Sequence, residues 1–219
     1  YAIFCKEIKN FILAKKLLVN LTKKFPSVVS PYILIAEILR IENRYIEAEK
    51  VLLLAKNIDS SNSELMYNFA LLYFSMRKFD NSLDYINRAI NLSRKNDIYK
   101  ILKADILIHK DNLDKALSIL NPLKISQNDN KKIKAKILIS EIYLRKKRYK
   151  DSEKILLEMI HEYKNLELGY LNLSDLYIRT KDLDKGITIL ENGLKVFPNY
   201  IPFCKNLAVI HKSKGHINI

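Results

Sequence analysis

Tryptophan is absent from this 219-residue chain, and glycine and proline are scarce, at 4 and 5 positions. Tight β-hairpins draw on glycine and turns on both residues, so a strand-rich fold is disfavoured and an all-α one expected. Only two cysteines occur, Cys5 and Cys204, near opposite ends of the sequence. A disulfide needs its Cα atoms within about 7 Å, a closure that an extended body would not offer. Both are expected at packed helix positions, and isolated thiols fit a reducing compartment. The compartment is left open between the cytoplasm, which the thiols favour, and a periplasmic or envelope location.

Long apolar runs are also missing. The longest, such as Phe69 to Phe74, stop far short of the ~20 residues that cross a bilayer, so this segment is expected to hold no membrane span. Histidine is sparse: His109, His161, His211 and His216 are scattered, with no cysteine or carboxylate at metal-ligand spacing. There is no glycine-rich phosphate loop and no carboxylate pair set up for acid–base work. No metal, cofactor or catalytic residue is expected, and the chain reads as a non-enzyme.

Charge of one sign is in excess. Lysine and arginine number 38 against 24 acids, a net +14, with local concentrations at Lys15 and Lys16, Lys23 and Lys24, and Arg145 to Lys150. That suffices for weak, nonspecific attraction of nucleic acid or an anionic surface. The excess is spread along the chain, which fits a solvated outer face.

The most informative feature is a repeat. Small residues recur at Ala36, Ala70 and Ala104, 34 residues apart, and a second column runs Ala14, Ala48, Ser82, Ala116. In the unit Ser63 to Asn96, two amphipathic segments flank a polar turn from Met76 to Lys78, and their small residues fall where antiparallel helices must touch. Successive units are 29–62, 63–96, 97–132, 133–166 and 167–200, between partial units 1–28 and 201–219. Repeats that stack predict a single domain over residues 1–219. Ala2 and Cys5 would sit within a helix already under way, which predicts residues before Tyr1. Pro122 should end or kink the second helix of its unit near Leu120. The next small residue, Ser140, comes 36 rather than 34 residues after Ala104, so two residues are inserted within Ser126 to Lys132, and this joint should fray. The last partial unit should leave part of the stripe of Leu207, Ala208 and Ile210 open, inviting self-association through terminal half-repeats.

Tyr170, Leu173, Ser174, Tyr177, Leu183, Gly186, Leu190, Gly193 and Pro198 stand at the signature positions of the tetratricopeptide repeat, and the chain resembles that family throughout. It departs in lacking the tryptophan at the head of each unit, where Tyr32, Met66, Lys100, Lys136 and Tyr170 stand. The resemblance implies an all-α, right-handed α-α superhelix, a solenoid of helix-turn-helix repeats whose first helices line a groove for a segment of another protein. Carried over position by position, that groove comprises Ile33, Glu37, Arg40, Tyr67, Asn68, Leu71, Phe74, Ile101, Asp105, Ile108, Ile137, Glu141, Arg145, Leu171, Asn172, Asp175 and Arg179. Glu141 with Arg145 and Asp175 with Arg179 are i,i+4 pairs that also stabilise their own helices by ~0.2–0.5 kcal/mol each. Tyr67, Leu71 and Phe74, flanked by Ile33, Ile101 and Ile108, make the most apolar patch, where anchors should dominate affinity. One family subtype grips acidic chaperone tails with lysines and asparagines. Asn68 and Asn172 could serve as its asparagines, but Glu37 and Glu141 stand where cations are needed, so no such clamp is expected.

The expected function is a non-enzymatic protein-interaction scaffold in a larger assembly. The alternatives are a nucleic-acid-associated helical repeat and an envelope or motility assembly component on a membrane-anchored chain.

Overall fold

A computed structural model describes residues 10–214. The expectations for Ala2, Cys5 and His216 lie outside them. Twelve α-helices and no strands occur among the described residues: α1 (Phe11–Lys24), α2 (Val29–Ile41), α3 (Tyr45–Ile58), α4 (Ser63–Ser75), α5 (Phe79–Leu92), α6 (Asp97–His109), α7 (Leu113–Leu120), α8 (Asp129–Arg145), α9 (Tyr149–Glu162), α10 (Glu167–Arg179), α11 (Leu183–Val196) and α12 (Ile201–Ser213). They pair as antiparallel hairpins, α2 with α3 through α10 with α11. The residues group into two compact units, the first ending at Ala116 and the second beginning at Leu117.

One turn joins the helices of every hairpin. Its middle residue is left-handed, at Asn43, Arg77, Asp111, Lys147 and Lys181, with φ between 58° and 61°. The next amide reaches back five residues: Arg44 to Leu39, Lys78 to Tyr73, Asn112 to Leu107, Arg148 to Tyr143 and Asp182 to Tyr177, all 2.8–2.9 Å. This Schellman closure satisfies carbonyls that the first helix would otherwise leave open. Three of the links between hairpins carry asparagine caps: the side chains of Asn62, Asn96 and Asn128 accept from the Leu65, Ile98 and Lys131 amides.

Close contact within a hairpin needs the small column. Ala48, Ser82, Ala116 and Ser152 are at most 1% exposed. The serine hydroxyls repay their burial by donating across the hairpin, Ser82 Oγ to the Ala70 carbonyl at 2.7 Å and Ser152 Oγ to the Ser140 carbonyl at 3.0 Å. In the first unit, buried side chains from Ala14 to Ile106 form one continuous cluster. In the second, separate clusters surround Leu156, Met159, Leu173, Leu176 and Tyr177, and Tyr170, Leu190, Phe203 and Ile210.

The irregular joint has a definite form. α7 stops at Leu120, eight residues long where the other second helices of complete hairpins have 14. Pro122 then precedes a 3-10 turn, Leu123–Ile125, which keeps Leu123 buried in the column of Ala55, Ala89 and Met159. The inserted residues do not form the loose stretch their polarity suggests. Asp129 to Lys132 become an extra first turn of α8, capped by Asn128 and pinned to the end of α9: Tyr163 Oη donates to Asp129 at 2.7 Å and Lys132 pairs with Glu162 at 2.9 Å.

Two expectations concern the last helix. Of the terminal stripe, Ile210 is fully buried against Gly186, Leu207 is half-buried and Ala208 is exposed, beside exposed Ile201 and Val209. Cys204 is exposed rather than packed. Its column faces the second helix of its own hairpin, and no such helix falls among the described residues.

Candidate functional site

The expected groove residues lie on first helices, and each unit carries its own set. In the first unit they come from α2, α4 and α6. Ile33, Asn68, Ile101 and Ile108 are 1–8% exposed, so their own neighbours cover them and they underlie the face instead of forming its surface. Asn68 also spends its amide within α4, donating to the Glu64 carbonyl at 2.9 Å. Half-buried above them are Glu37, Arg40, Tyr67, Leu71, Phe74 and Asp105.

Aromatic stacking organises this face. The Tyr67 ring lies on Tyr99, centroids 4.9 Å apart, and Phe74 meets His109 edge-on at 5.0 Å and Phe79 at 5.8 Å. Such pairs hold ring orientations at little entropic cost. Phe74 is therefore partly a joint between α4, α5 and α6, and partly surface. Burial pushes the Tyr67 phenol above its ordinary value against the opposing effect of Arg40, with Tyr99 and Glu37 pushing the same way as burial. Tyr67 thus stays a neutral hydrogen-bonding group at physiological pH, beside one cation and one carboxylate. Arg40 donates from Nη1 to Ser75 Oγ at 3.3 Å, while its buried Nε has no partner among the described residues. Asp105 takes His109 Nδ1 at 3.3 Å.

In the second unit the corresponding residues come from α8 and α10. Ile137, Glu141, Leu171, Asn172 and Asp175 are half-buried, while Arg145 and Arg179 are exposed. The charged ones pair within their own helices, Arg145 with Glu141 at 2.7 Å and Arg179 with Asp175 at 2.8 Å. Asn172 donates to the Leu168 carbonyl at 2.7 Å, as Asn68 does in its own helix. The two candidate clamp amides are both committed to their own backbone.

Tyr99, Phe79, His109 and Ser75 belong with this face and were not singled out from sequence. The signal was available: Tyr99 and His109 lie close to one 34-residue repeat beyond Tyr67 and Phe74, the α4 residues they touch. Also unforeseen is a linking bond seen in both units. Tyr73 Oη donates to Glu49 at 2.5 Å and Tyr177 Oη to Glu153 at 2.7 Å, each 24 residues apart. Burial, then that bond, raises both phenols above their ordinary value.

No group of three or more His, Cys, Asp or Glu among the described residues could hold a metal ion, and no described helix is long and apolar enough to cross a membrane. Repeated hairpins with an amphipathic first-helix face define a helical-repeat interaction protein. Family models agree: residues 54–154 match the tetratricopeptide repeat protein 21 ARM repeat, and residues 169–200 match the tetratricopeptide repeat. The chain belongs to the tetratricopeptide-repeat family.

Solved structures share the fold. PilW, described as a widely conserved type IV pilus biogenesis factor, superposes with a TM-score of 0.80 at 13% identity, over 95% of this chain and 94% of that one. The anaphase-promoting-complex tetramer Cut9-Hcn1 gives 0.76 at 14% identity over 95% of this chain, which spans 41% of that chain's length. YrrB, described as a TPR protein with an unusual peptide-binding site, gives 0.56 at 15% identity, over 86% and 96%. A search of curated protein sequences finds no match.

Proposed function

We propose that the chain is a non-enzymatic scaffold that holds a segment of a partner protein on the first-helix face of its first unit. The observation that carries this reading is the half-buried row Tyr67, Leu71 and Phe74, packed against the core that holds buried Ile33 and edged by Glu37, Arg40 and Asp105. Covering one such large side chain contributes roughly 1.5–3 kcal/mol, whereas exposed ion pairs like those of the second unit contribute about 0–1 kcal/mol. Apolar anchors with a mixed-charge edge suit an amphipathic helix or an extended segment. The peptide site named for YrrB lends the reading support from the same fold.

Selection of a peptide library against the protein tests it. Selected peptides should lose at least about tenfold in affinity, about 1.4 kcal/mol, with Tyr67→Ala combined with Leu71→Glu. Retained affinity in the folded variant would place the partner elsewhere. Phe74 is left in place because its contacts with Phe79 and His109 make it part of the packing. Nucleic acid should bind only weakly and lose its affinity steeply with salt, since Glu37 and Asp105 would face its phosphates.

A further inference from the structure

Beside the shortened α7 lies a recess of about 440 Å³, lined by the 3-10 turn (Lys124, Ile125), by α8 (Lys132, Lys136, Tyr143) and by α9 (Asp151, Lys154, Ile155, Glu158, Glu162). The other second helices of complete hairpins continue where this chain turns away after Pro122, so the space follows from the proline. A volume in this range holds a small ligand or a single side chain.

The charges around it do not cancel. Lys136 is 5% exposed and occupies the position at the head of its repeat, with its ammonium 2.9 Å from Glu162. Lys132 uses the other oxygen of the same carboxylate, so two ammonium groups share one anion. Asp151 is held from outside by Arg148 at 2.8 Å. Lys124, Lys154 and Glu158 have no ion-pair partner among the described residues, which leaves the lining positive. A neutral donor adds to this. Tyr143 stands in the column of Tyr73 and Tyr177, whose hydroxyls donate to Glu49 and Glu153, but the glutamate's position in the preceding repeat is taken by Leu117. Its hydroxyl has no hydrogen-bond partner among the described residues, while its ring is fixed under the Arg148 guanidinium at 4.6 Å.

We propose that this recess is an oxyanion site, taking a carboxylate or phosphate group between Lys124, Lys154 and the Tyr143 hydroxyl, over the Lys132–Lys136–Glu162 cluster. Ammonium groups and a hydroxyl are the donors such oxygens need. The site is separate from the first-helix face of the first unit and does not depend on a partner there.

Two probes separate the sources of the anion: inorganic phosphate, and a capped tetraglutamate peptide. Titration of the whole chain, followed by amide and lysine NMR shifts, should show saturable binding of at least one, with shifts confined to the recess. Saturation by phosphate alone assigns a free or phosphoryl oxyanion, and saturation by the peptide, reversed by phosphate, assigns an acidic side chain. Lys124→Gln and Lys154→Gln should each weaken binding about tenfold, Tyr143→Phe less but in the same direction, and Lys150→Gln, on α9 outside the recess, not at all. No saturable binding of either probe, shifts spread over surface lysines generally, or an equal loss with Lys150→Gln would overturn the proposal. All four substitutions are at exposed or half-buried positions, so circular dichroism should report unchanged helix.

Discussion

The two units build the same hairpin with the same turn, yet they invest their apolar side chains differently. The first joins buried side chains from Ala14 to Ile106 in one large cluster and still has aromatic rings left over for the face of α4. The second holds smaller clusters around Leu173 and Phe203 and admits charge among its buried residues, with Lys136 buried where Met66 stands in the first. A repeat motif therefore fixes the backbone while leaving surface chemistry free, and two stretches of one chain can offer an apolar anchor and a cationic recess.

Removing a fully buried ring of the first unit sharpens the contrast most. Phe69 is fully buried and stacks on Tyr73 and Tyr85, so Phe69→Ala should cost about 3–5 kcal/mol. Hydrogen exchange should show the loss in α4 and α5, with α10 and α11 still protected. Equal loss of protection in both units would show that they unfold as one block.

The charged core of the second unit makes it the more acid-sensitive. Hydrogen bonds from Lys136, and then from Lys132 against the effect of burial, hold the Glu162 carboxyl below its ordinary 4.5. A carboxyl lowered by folding contributes stability above its unfolded pKa, and that stability is lost as pH falls below about 4.5. Glu162→Gln should remove about 1 kcal/mol, a figure reduced for its 37% exposure, and flatten this acid dependence. Thermal melts from pH 6 to pH 3 would measure it, and an unchanged slope in the variant would assign the acid sensitivity to other carboxyls.

Where the units agree, substitutions should agree. Tyr73→Phe and Tyr177→Phe each delete the bond to the glutamate 24 residues earlier and should each cost about 1 kcal/mol by chemical denaturation. A large difference between them would mean that the shared bond does unequal work. Smallest is a gain: Arg77→Gly and Lys147→Gly relieve left-handed strain of about 1–2 kcal/mol, offset by glycine's own entropy, so each should stabilise by about 0.5 kcal/mol.

Much of this was legible in the residues. The period placed every hairpin, because small residues must recur wherever helices touch, and Pro122 located the end of α7. The face was read less well. Ile33, Ile101 and Ile108 sit in the right column, but whether a column residue is covered depends on the size of its neighbours in adjacent hairpins, which periodicity does not encode. Asn68 and Asn172 looked like ligands because their helix carbonyls compete for the amide only in three dimensions. The polar run from Ser126 to Lys132 suggested a loose joint, and its order comes from partners some 30 residues away, Glu162 and Tyr163.

The central claim is that a partner segment rests on α4 in the first unit. Its most direct test is crosslinking of a library-selected peptide, with a photoreactive phenylalanine analogue placed at Leu71 in one protein and at Leu171 in another. The account predicts a strong adduct from position 71, lost when Tyr67 is changed to alanine, and little from position 171. A dominant adduct from position 171, insensitive to Tyr67, would contradict it.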